Sequence, residues 1–246
     1  MTDFHIDLAR RALESLSAEC AAARWLADGE ACEIPFSGEP AGIVAAVGQA
    51  LQPAILDIAV VPDLCRKKKL LIADMDSTLI EQECIDELAD EIGHGEKVAA
   101  ITERAMRGEI DFEPALRERV ALLHGLPASI VDSVLENRIS LMPGGRELVK
   151  TMRANGAHTS LVSGGFTLFA SQIAEQLGFD DYRANTLVIG PDGRFTGIVA
   201  EPILGRNAKQ QTLRSRLNEL AIQPDEALAV GDGANDLAMI ELAGLG

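Results

Sequence analysis

In the first part of the chain, apolar residues recur at helical spacing in some stretches and form short, strand-like runs in others. The stretches 6–27 and 40–52 carry apolar residues every three to four positions, which predicts two amphipathic helices. The shorter stretches 30–36 and 54–61 are typical of strands. The pattern therefore predicts a small α+β module, joined to the rest of the chain by the proline-led, basic connector 62–69.

From Lys69 onward, short apolar runs alternate with amphipathic stretches. The runs 69–75, 158–164 and 226–232 have the length and the apolar content of buried strands. Strands that alternate with helices indicate an α/β domain with a Rossmann-like, mostly parallel sheet covered by helices. The helices are predicted at about 144–155, 166–178, 206–220 and 234–243.

A long helical insertion, from Glu81 to Ser140, separates the first two of these strands. An insertion that follows the C-terminal end of a strand is well placed to cover a ligand, so we expect it to form a cap. A hairpin is predicted at 185–200, with its turn at Pro191, Asp192 and Gly193. Two apolar helix faces are expected in the insertion, one with Ile85, Leu88, Ala89 and Ile92 and one with Leu116, Val120 and Leu123.

The sequence thus predicts three domains. Residues 1–65 form the N-terminal module, a candidate regulatory unit; residues 66–80 with 141–246 form the core; and residues 81–140 form the cap.

Composition narrows the classes of partner. The 246 residues include 22 Lys or Arg and 38 Asp or Glu, for a formal net charge of −16, which argues against nucleic acid or an anionic membrane as a partner. An anionic substrate would therefore need local positive charge or a metal ion. The four cysteines form no C-x-x-C pair and the N-terminus does not read as a signal peptide, so we expect a reduced, cytoplasmic setting. The most apolar stretch, 41–62, is interrupted by polar residues and proline and is not predicted to span a membrane.

Polar or glycine-rich residues follow each predicted strand of the α/β domain. Asp74, Asp76 and Thr78 follow the first strand, the stretch 163–166 ends the second, and the stretch 231–236 follows the third. In open α/β sheets, ligands bind at the carboxyl ends of the strands, so we expect these residues to meet at one edge. Four aspartates in one cleft repel one another, and a hard divalent cation such as Mg²⁺ resolves that repulsion with oxygen ligands.

The spacing of Asp74 and Asp76 indicates a second role besides metal binding. One carboxylate can attack a phosphorus atom while its neighbour carries a proton for the leaving group, which is a route for phosphoryl transfer. Each motif alone also has a structural explanation: "VSGGF" is typical of a tight strand-to-helix turn, and "GDGAND" of a capped helix or a calcium-type loop. A lone lysine such as Lys209 is usually a surface charge. The three strand-end motifs in order are more specific than any one of them.

Four ordered motifs resemble those of the haloacid dehalogenase-like phosphohydrolases. Longer stretches, which include the insertion, resemble the phosphoserine phosphatase branch of that family, and the similarity covers about 69–246. The four motifs are "DMDST", "VSGGF", the lysine of "GRNAKQQ" and "GDGAND". The longer stretches are "DMDSTLIEQECIDELAD", "ITERAMRGEIDFEPALRERVALL", "LVSGGF", "ANTL" and "VGDGANDLAMI".

The resemblance implies Mg²⁺-dependent hydrolysis of O-phospho-L-serine, the last step of serine biosynthesis, through an aspartyl-phosphate. It implies Asp74 as the nucleophile and Asp76 as the general acid and base. The metal would be held by the Asp74 side chain, the Asp76 backbone carbonyl and Asp232, with Asp236 acting through water. The phosphate would be bound by Ser163, the N–H groups of Gly164 and Gly165, Lys209 and Asn235.

The resemblance also places the amino-acid end of the substrate in the cap. Glu83 would meet the ammonium group and Arg119 the carboxylate, chemistry that suits both side chains. Phe112 and Met106 would be lid residues that exclude water, although packing within the cap explains them equally well.

Several alternatives stay open at this level. The same catalytic residues would suit a phosphatase or phosphotransferase that acts on another small phosphomonoester. A non-catalytic, amino-acid-sensing protein is a further interpretation of the sequence. The N-terminal module resembles a degenerate ACT-like domain, and a homodimer is compatible with the sequence. The chain ends at Gly246, where the family usually continues with another strand and helix, so we expect a bare sheet edge if Gly246 is the native terminus.

Overall fold

The computed structural model describes residues 1–205 and 207–246. Contacts within the chain divide it into two compact units, Met1–Arg66 and Lys67–Gly246. The division into regulatory module, core and cap remains a proposal.

The first unit is a small α+β structure with its own apolar cluster. Its strands pair as two separate two-stranded antiparallel sheets, β1 with β4 and β2 with β3, and an ACT-like module is not confirmed. The cluster joins the two helices through Ala12, Leu13, Ile43, Val47 and Leu51. The elements are α1 (Asp3–Ser15), β1 (Glu19–Cys20), β2 (Arg24–Ala27), β3 (Ala31–Glu33), β4 (Phe36–Ser37) and α2 (Ile43–Leu51).

Two predictions for this unit are wrong. The helix predicted over 6–27 ends at Ser15, because Ser17 takes a positive φ of 63° that interrupts the helix, and the later residues form short strands instead. The stretch 54–61 forms no strand. Its alternate apolar side chains, at Leu56, Ile58 and Val60, do pack on the cluster. The apolar composition thus identified a segment that packs on the core but not a backbone pairing, which depends on a partner distant in sequence.

The second unit is built on a four-stranded parallel sheet. Its order is β10-β5-β6-β7, with β5 at Leu70–Ala73, β6 at His158–Phe166, β7 at Asp181–Asn185 and β10 at Ala227–Val230. Ala73 lies between Val230 and Leu161 in the register, so the carboxyl ends of three strands meet at one edge. The structure confirms the predicted α/β fold with a parallel sheet.

Helices cover both faces of this sheet. Leu71 and Leu161 belong to a large apolar cluster, and Leu70, Ile72 and Val162 belong to a second one that faces the other way. Strand residues buried on both faces explain the continuous apolar runs in the sequence. The core helices are α7 (Gly145–Ala154), α8 (Thr167–Leu177), α9 (Ala208–Glu219) and α10 (Leu237–Ile240), with a short 3₁₀ helix at Pro224–Glu226.

The predicted helical insertion is confirmed. Its entry and exit lie side by side, because Glu81 N donates to Ser140 O at 3.0 Å and Met142 N donates to Leu79 O at 2.9 Å. The insertion contains α3 (Cys84–Glu91), α4 (Gly95–Met106), α5 (Phe112–Ala121) and α6 (Ile130–Asn137). Both expected apolar faces are inside the core: Ile85, Leu88, Ala89, Leu116, Val120 and Leu123 are buried and Ile92 is partly buried.

The predicted hairpin is also present. Strands β8 (Leu187–Ile189) and β9 (Phe195–Val199) pair antiparallel, and Gly193 N donates to Gly190 O across the turn. The helix predicted at 234–243 is much shorter, since only α10 is helical in that range. Over residues 1–205 and 207–246, no helix combines the length and the apolar content needed to cross a membrane.

Candidate active site

A cavity of about 460 Å³ opens at the carboxyl edge of the parallel sheet, between the strand ends and the helical insertion. The structure brings nine of the ten predicted site residues into its wall. These are Asp74, Asp76, Glu83, Arg119, Gly164, Gly165, Lys209, Asp232 and Asn235. The tenth, Ser163, is buried directly behind the wall and contacts Asp76.

Asp74 is the first residue after β5 and is almost fully buried, with 5% of its surface exposed. Lys209, in the first turn of α9, places Nζ 2.8 Å from Asp74 Oδ2 and 2.7 Å from Asp236 Oδ1. Burial raises the pKa of the Asp74 carboxyl to about 7, although the Lys209 ammonium opposes that rise. Asp236 adds to the rise through charge repulsion. Lys209 is therefore no surface charge; it is buried between two carboxylates.

Two carboxylates of this wall and the buried Asp236 behind it form a candidate cation site. Oxygen atoms of Asp74, Asp232 and Asp236 all lie within 4.8 Å of one another. Thr78 Oγ1 donates to Asp232 Oδ1 at 3.1 Å, and Gly233 N donates to Asp236 Oδ2 at 3.1 Å. The single ammonium group of Lys209 neutralises only part of the negative charge of these three carboxylates. An oxygen-only donor set with excess negative charge fits a hard divalent cation.

The carboxylate of Asp76 is held from two sides. The backbone N–H of Cys84, the first residue of α3, donates to Asp76 Oδ1 at 2.8 Å. On the other side, Ser163 Oγ donates to Oδ2 at 3.0 Å. The side chain is thus oriented by one group from the core and one from the insertion, apart from the acidic cluster formed by Asp74, Asp232 and Asp236.

The "VSGGF" segment passes close to Asp76 in a way that requires glycine. Strand β6 continues through this segment to Phe166, and α8 begins at the next residue. A Cβ on Gly165 would lie 2.9 Å from Asp76 Oδ2 and 3.0 Å from Ser163 Oγ. Gly165 N donates to Ser163 Oγ at 2.8 Å, which fixes the hydroxyl that contacts Asp76.

Glu83 and Arg119 lie on the opposite wall, which the insertion contributes. Glu83 is the residue before α3, and its Oε1 accepts a hydrogen bond from Ser77 Oγ at 2.8 Å. Burial raises the pKa of Glu83, and repulsion from Asp76 adds to it. Burial lowers the pKa of Arg119, partly offset by the negative charges of Asp86 and Glu83. A cation and an anion therefore face the cavity together, on the part of its wall that the insertion contributes.

The two predicted lid residues also line the cavity, at different exposures. Phe112, the first residue of α5, is 36% exposed, and its ring tip would lie 3.6 Å from a Cβ placed on Gly164. Met106, at the end of α4, is 85% exposed. Phe112 thus already contacts the "VSGGF" segment, whereas Met106 remains mostly in solvent.

Sequence reasoning missed the residues that orient these groups. The buried Asn185 donates to Gly164 O at 2.8 Å and accepts from Leu204 N at 2.7 Å, which ties two segments at the site together. It lies in the quoted "ANTL" stretch, so a signal existed without an assigned role. The hydrogen bond from the Cys84 N–H could not be predicted from the sequence, because a backbone N–H group does not depend on the residue type.

A family model described as haloacid dehalogenase-like hydrolase matches residues 68–244. A phosphoserine phosphatase of Archaeoglobus fulgidus is 46% identical over 193 residues, which cover 78% of this chain and 56% of that protein. A phosphoserine phosphatase of Polaromonas sp. is 45% identical over 201 residues, covering 79% of this chain and 85% of the relative.

A solved structure described as a phospho-aspartyl intermediate analogue of phosphoserine phosphatase superposes with a TM-score of 0.66 at 42% identity. The superposed region covers 73% of this chain and 85% of the chain in the solved structure. The chain spans little more than half the length of several of these curated relatives, 56% in the Archaeoglobus protein and 60% in one from Schizosaccharomyces pombe.

Proposed function

The chain belongs to the haloacid dehalogenase-like hydrolases, and from that premise we propose that it hydrolyses O-phospho-L-serine to L-serine and phosphate with Mg²⁺. One observation carries the proposal: the cavity has phosphoryl-transfer chemistry on one wall and a Glu–Arg pair on the other. The relatives at 45 to 46% identity carry the same enzyme name, which supports the substrate.

The substrate fits the charges of the cavity end to end. The phosphate lies against Lys209 and the "VSGGF" segment, where positive charge and backbone N–H groups suit its oxygens. The serine ammonium meets Glu83, and the serine carboxylate meets the planar donor fork of Arg119. A phosphate ester without the amino-acid end would offer no charge to Glu83 or to Arg119.

Asp74 is the nucleophile. Its ionised carboxylate attacks phosphorus, the bond from phosphorus to the serine oxygen breaks, and the phosphoryl group remains on Asp74 as an acyl phosphate. Lys209, 2.8 Å from Asp74, stabilises charge on the transferring phosphoryl oxygens and favours the ionised form of the carboxylate.

Asp76 carries the proton in both half-reactions. It first gives a proton to the departing serine oxygen, and then takes one from the water that attacks the phosphorylated Asp74. Phosphate leaves and Asp74 is restored. The contacts from Cys84 N–H and Ser163 hold the Asp76 carboxyl in place for both transfers.

The Asp74 carboxylate, the Asp76 backbone carbonyl and Asp232 would hold Mg²⁺, with Asp236 supporting the site. The ion would supply electrostatic stabilisation of the phosphoryl oxygens and would neutralise the acidic cluster. Four unpaired cysteines and the acidic charge support a cytoplasmic enzyme of serine biosynthesis without nucleic-acid or membrane partners. A homodimer remains compatible with this function.

The test is phosphate release from a panel of phosphorylated amino acids, with Mg²⁺ and with chelator, in wild type and Asp74→Asn. We expect O-phospho-L-serine to be preferred, activity to require the metal, and Asp74→Asn to lose at least about a thousandfold in kcat. Binding of Mg²⁺ is followed separately by calorimetry, so that a loading defect is distinguished from a chemical one. Full activity of Asp74→Asn, or of the chelated wild type, would overturn the mechanism.

A further inference from the structure

Hairpin β8–β9 is joined to the cap by backbone hydrogen bonds. Gly125 N donates to Phe195 O at 2.8 Å, and Phe195 N donates to Leu126 O at 2.9 Å. Near the turn, Ala128 N donates to Gly193 O at 2.9 Å. The segment that leaves α5 therefore runs along the hairpin as a third, strand-like segment, although the two are far apart in sequence.

Side chains strengthen this contact. Arg194 Nη1 donates to Gly125 O at 2.6 Å, and Arg117 of α5 pairs with Glu201 just beyond β9. Phe195 and Val199 are each 2% exposed and share an apolar cluster with the buried face of α5. The hairpin and α5 thus pack as one body.

Gly197 sets how closely the two approach. Its φ is +75°, and a Cβ at this position would lie 3.1 Å from His124 Cβ, 3.3 Å from Ala121 Cα and 3.4 Å from Ala121 O. The first two of these contacts are tighter than ordinary van der Waals distances, and Ala121 Cα is a backbone atom that cannot rotate away. Ala121 is two residues from Arg119, on the last turn of α5.

Helix α5 is consequently held at both ends. Phe112 rests against the "VSGGF" segment at one end, the hairpin holds the other, and Arg119 lies between them at the cavity wall. We propose, on the basis of the proposed function, that hairpin β8–β9 is a specificity element that places Arg119 for the substrate carboxylate. Gly197 is its positioning residue.

The hairpin acts on one end of the substrate only. Asp74, Lys209 and Asp232 come from β5, α9 and the end of β10, so a small shift of α5 leaves them in place. A shift of Arg119 weakens a contact that the substrate makes both before and during the reaction, which raises KM more than it lowers kcat. Binding of inorganic phosphate, which lacks the amino-acid end, is unaffected.

The chain offers a matched control for Gly197→Ala. Gly193, at the tip of the same hairpin, also has φ +75°, but a Cβ there has nothing within 4 Å. Both alanine variants carry the same backbone strain, and only the one at position 197 is pressed against α5. A difference between them therefore reports the contact with α5.

The experiment measures KM and kcat for O-phospho-L-serine and for O-phosphoethanolamine, which lacks the carboxylate, and the inhibition constant of inorganic phosphate. For Gly197→Ala we expect KM for phosphoserine to rise about tenfold or more. The values for phosphoethanolamine and inorganic phosphate should stay at wild-type levels. Gly193→Ala should match the wild type throughout.

Equal kinetics of the two alanine variants would overturn the inference, as would an equal loss on phosphoserine, phosphoethanolamine and inorganic phosphate. If Gly197→Ala does not fold, Arg194→Ala decides, because it removes the exposed Arg194 side chain and its bond to Gly125 O. A KM increase confined to phosphoserine then supports the role of the hairpin, and unchanged kinetics overturns it. A wild type that releases no phosphate from phosphoserine overturns the proposed function itself, a result distinct from all of these.

Discussion

At the scale of single residues, the positions of the charged side chains decide what the cavity can bind. Lys209 is buried between Asp74 and Asp236, and Arg119 lies with Glu83 on the wall that the insertion contributes. Each buried charge either has a partner in the protein or fits a charge of the proposed substrate. Residues at this site therefore differ in whether they serve the reaction or the choice of substrate, and substitutions should separate the two.

Replacing Arg119 with lysine should impair the choice of substrate. Lysine keeps the charge but loses the planar fork that matches a carboxylate, so we expect KM for phosphoserine to rise about tenfold or more. The inhibition constant of inorganic phosphate should not change. Arg104→Lys, at an exposed arginine of α4 that pairs with Glu118, is the control. An unchanged KM in Arg119→Lys would show that the carboxylate is bound elsewhere.

The raised pKa of Asp74 predicts a pH dependence of stability in the metal-free protein. The folded carboxyl has a pKa of about 7 against an ordinary value of 3.8, so the folded state binds the proton more tightly than the unfolded chain. The resulting stabilisation is complete below the unfolded pKa and is lost as the pH rises through about 7. Asp74→Asn is neutral at every pH and lacks this dependence.

In chelator, the melting temperature of wild type minus that of Asp74→Asn should therefore fall between pH 5 and pH 8. Saturating Mg²⁺ should reverse the trend, because the ion stabilises the ionised carboxylate. Thermal unfolding followed by circular dichroism measures both series. A difference that stays flat in chelator would mean that Asp74 is already ionised at low pH.

At the scale of elements, the start of α3 links the insertion to the chemistry. The first N–H of this helix points at Asp76 Oδ1, and the residue before the helix is Glu83. Donors at a helix N-terminus favour a negative charge, so one element serves both the proton carrier and the substrate ammonium site. The backbone of α3, and not only its side chains, is part of the site.

Cys84→Pro should remove this hydrogen bond while it keeps the helix. Proline is tolerated at the first helical position, and Glu83 before it has the extended conformation that proline requires, with ψ at 112°. Loss of a hydrogen bond to a charged group should lower kcat about ten- to a hundredfold. Cys84→Ala retains the N–H and should keep nearly full kcat. Equal kinetics of the two variants would exclude a role for this N–H group.

At the scale of the whole molecule, the site lies in one unit. Every predicted site residue falls within Lys67–Gly246, and this unit has apolar clusters separate from that of Met1–Arg66. The two units therefore differ in what they contribute: the second contains the candidate chemistry, and the first is a candidate for regulation.

A chain that contains only residues 67–246 should fold and should hydrolyse phosphoserine with the KM and kcat of the full chain. The reason is that its apolar clusters and its site lie inside that range. Thermal unfolding and steady-state kinetics test this, with full-length protein as the reference. An insoluble or inactive product would show that the first unit is needed for the core.

The sequence by itself determined the location of the chemistry. Short continuous apolar runs located β5, β6 and β10, and the polar residues that follow each strand meet at one sheet edge because parallel strands end together. It failed where pairing decides the outcome, as at 54–61, which is apolar like a buried strand but forms none. Local pattern reports which face is buried, whereas strand pairing requires a partner that only the folded chain supplies.

Only the tertiary structure decided how the site is oriented. The N–H of Cys84 that holds Asp76 is a backbone group, and the approach of Gly197 to α5 joins residues about 76 positions apart in sequence. Neither leaves a signature in local residue type, because the interaction depends on distance and direction after folding. The sequence thus specifies which groups react, and the fold specifies the distances and directions at which they meet.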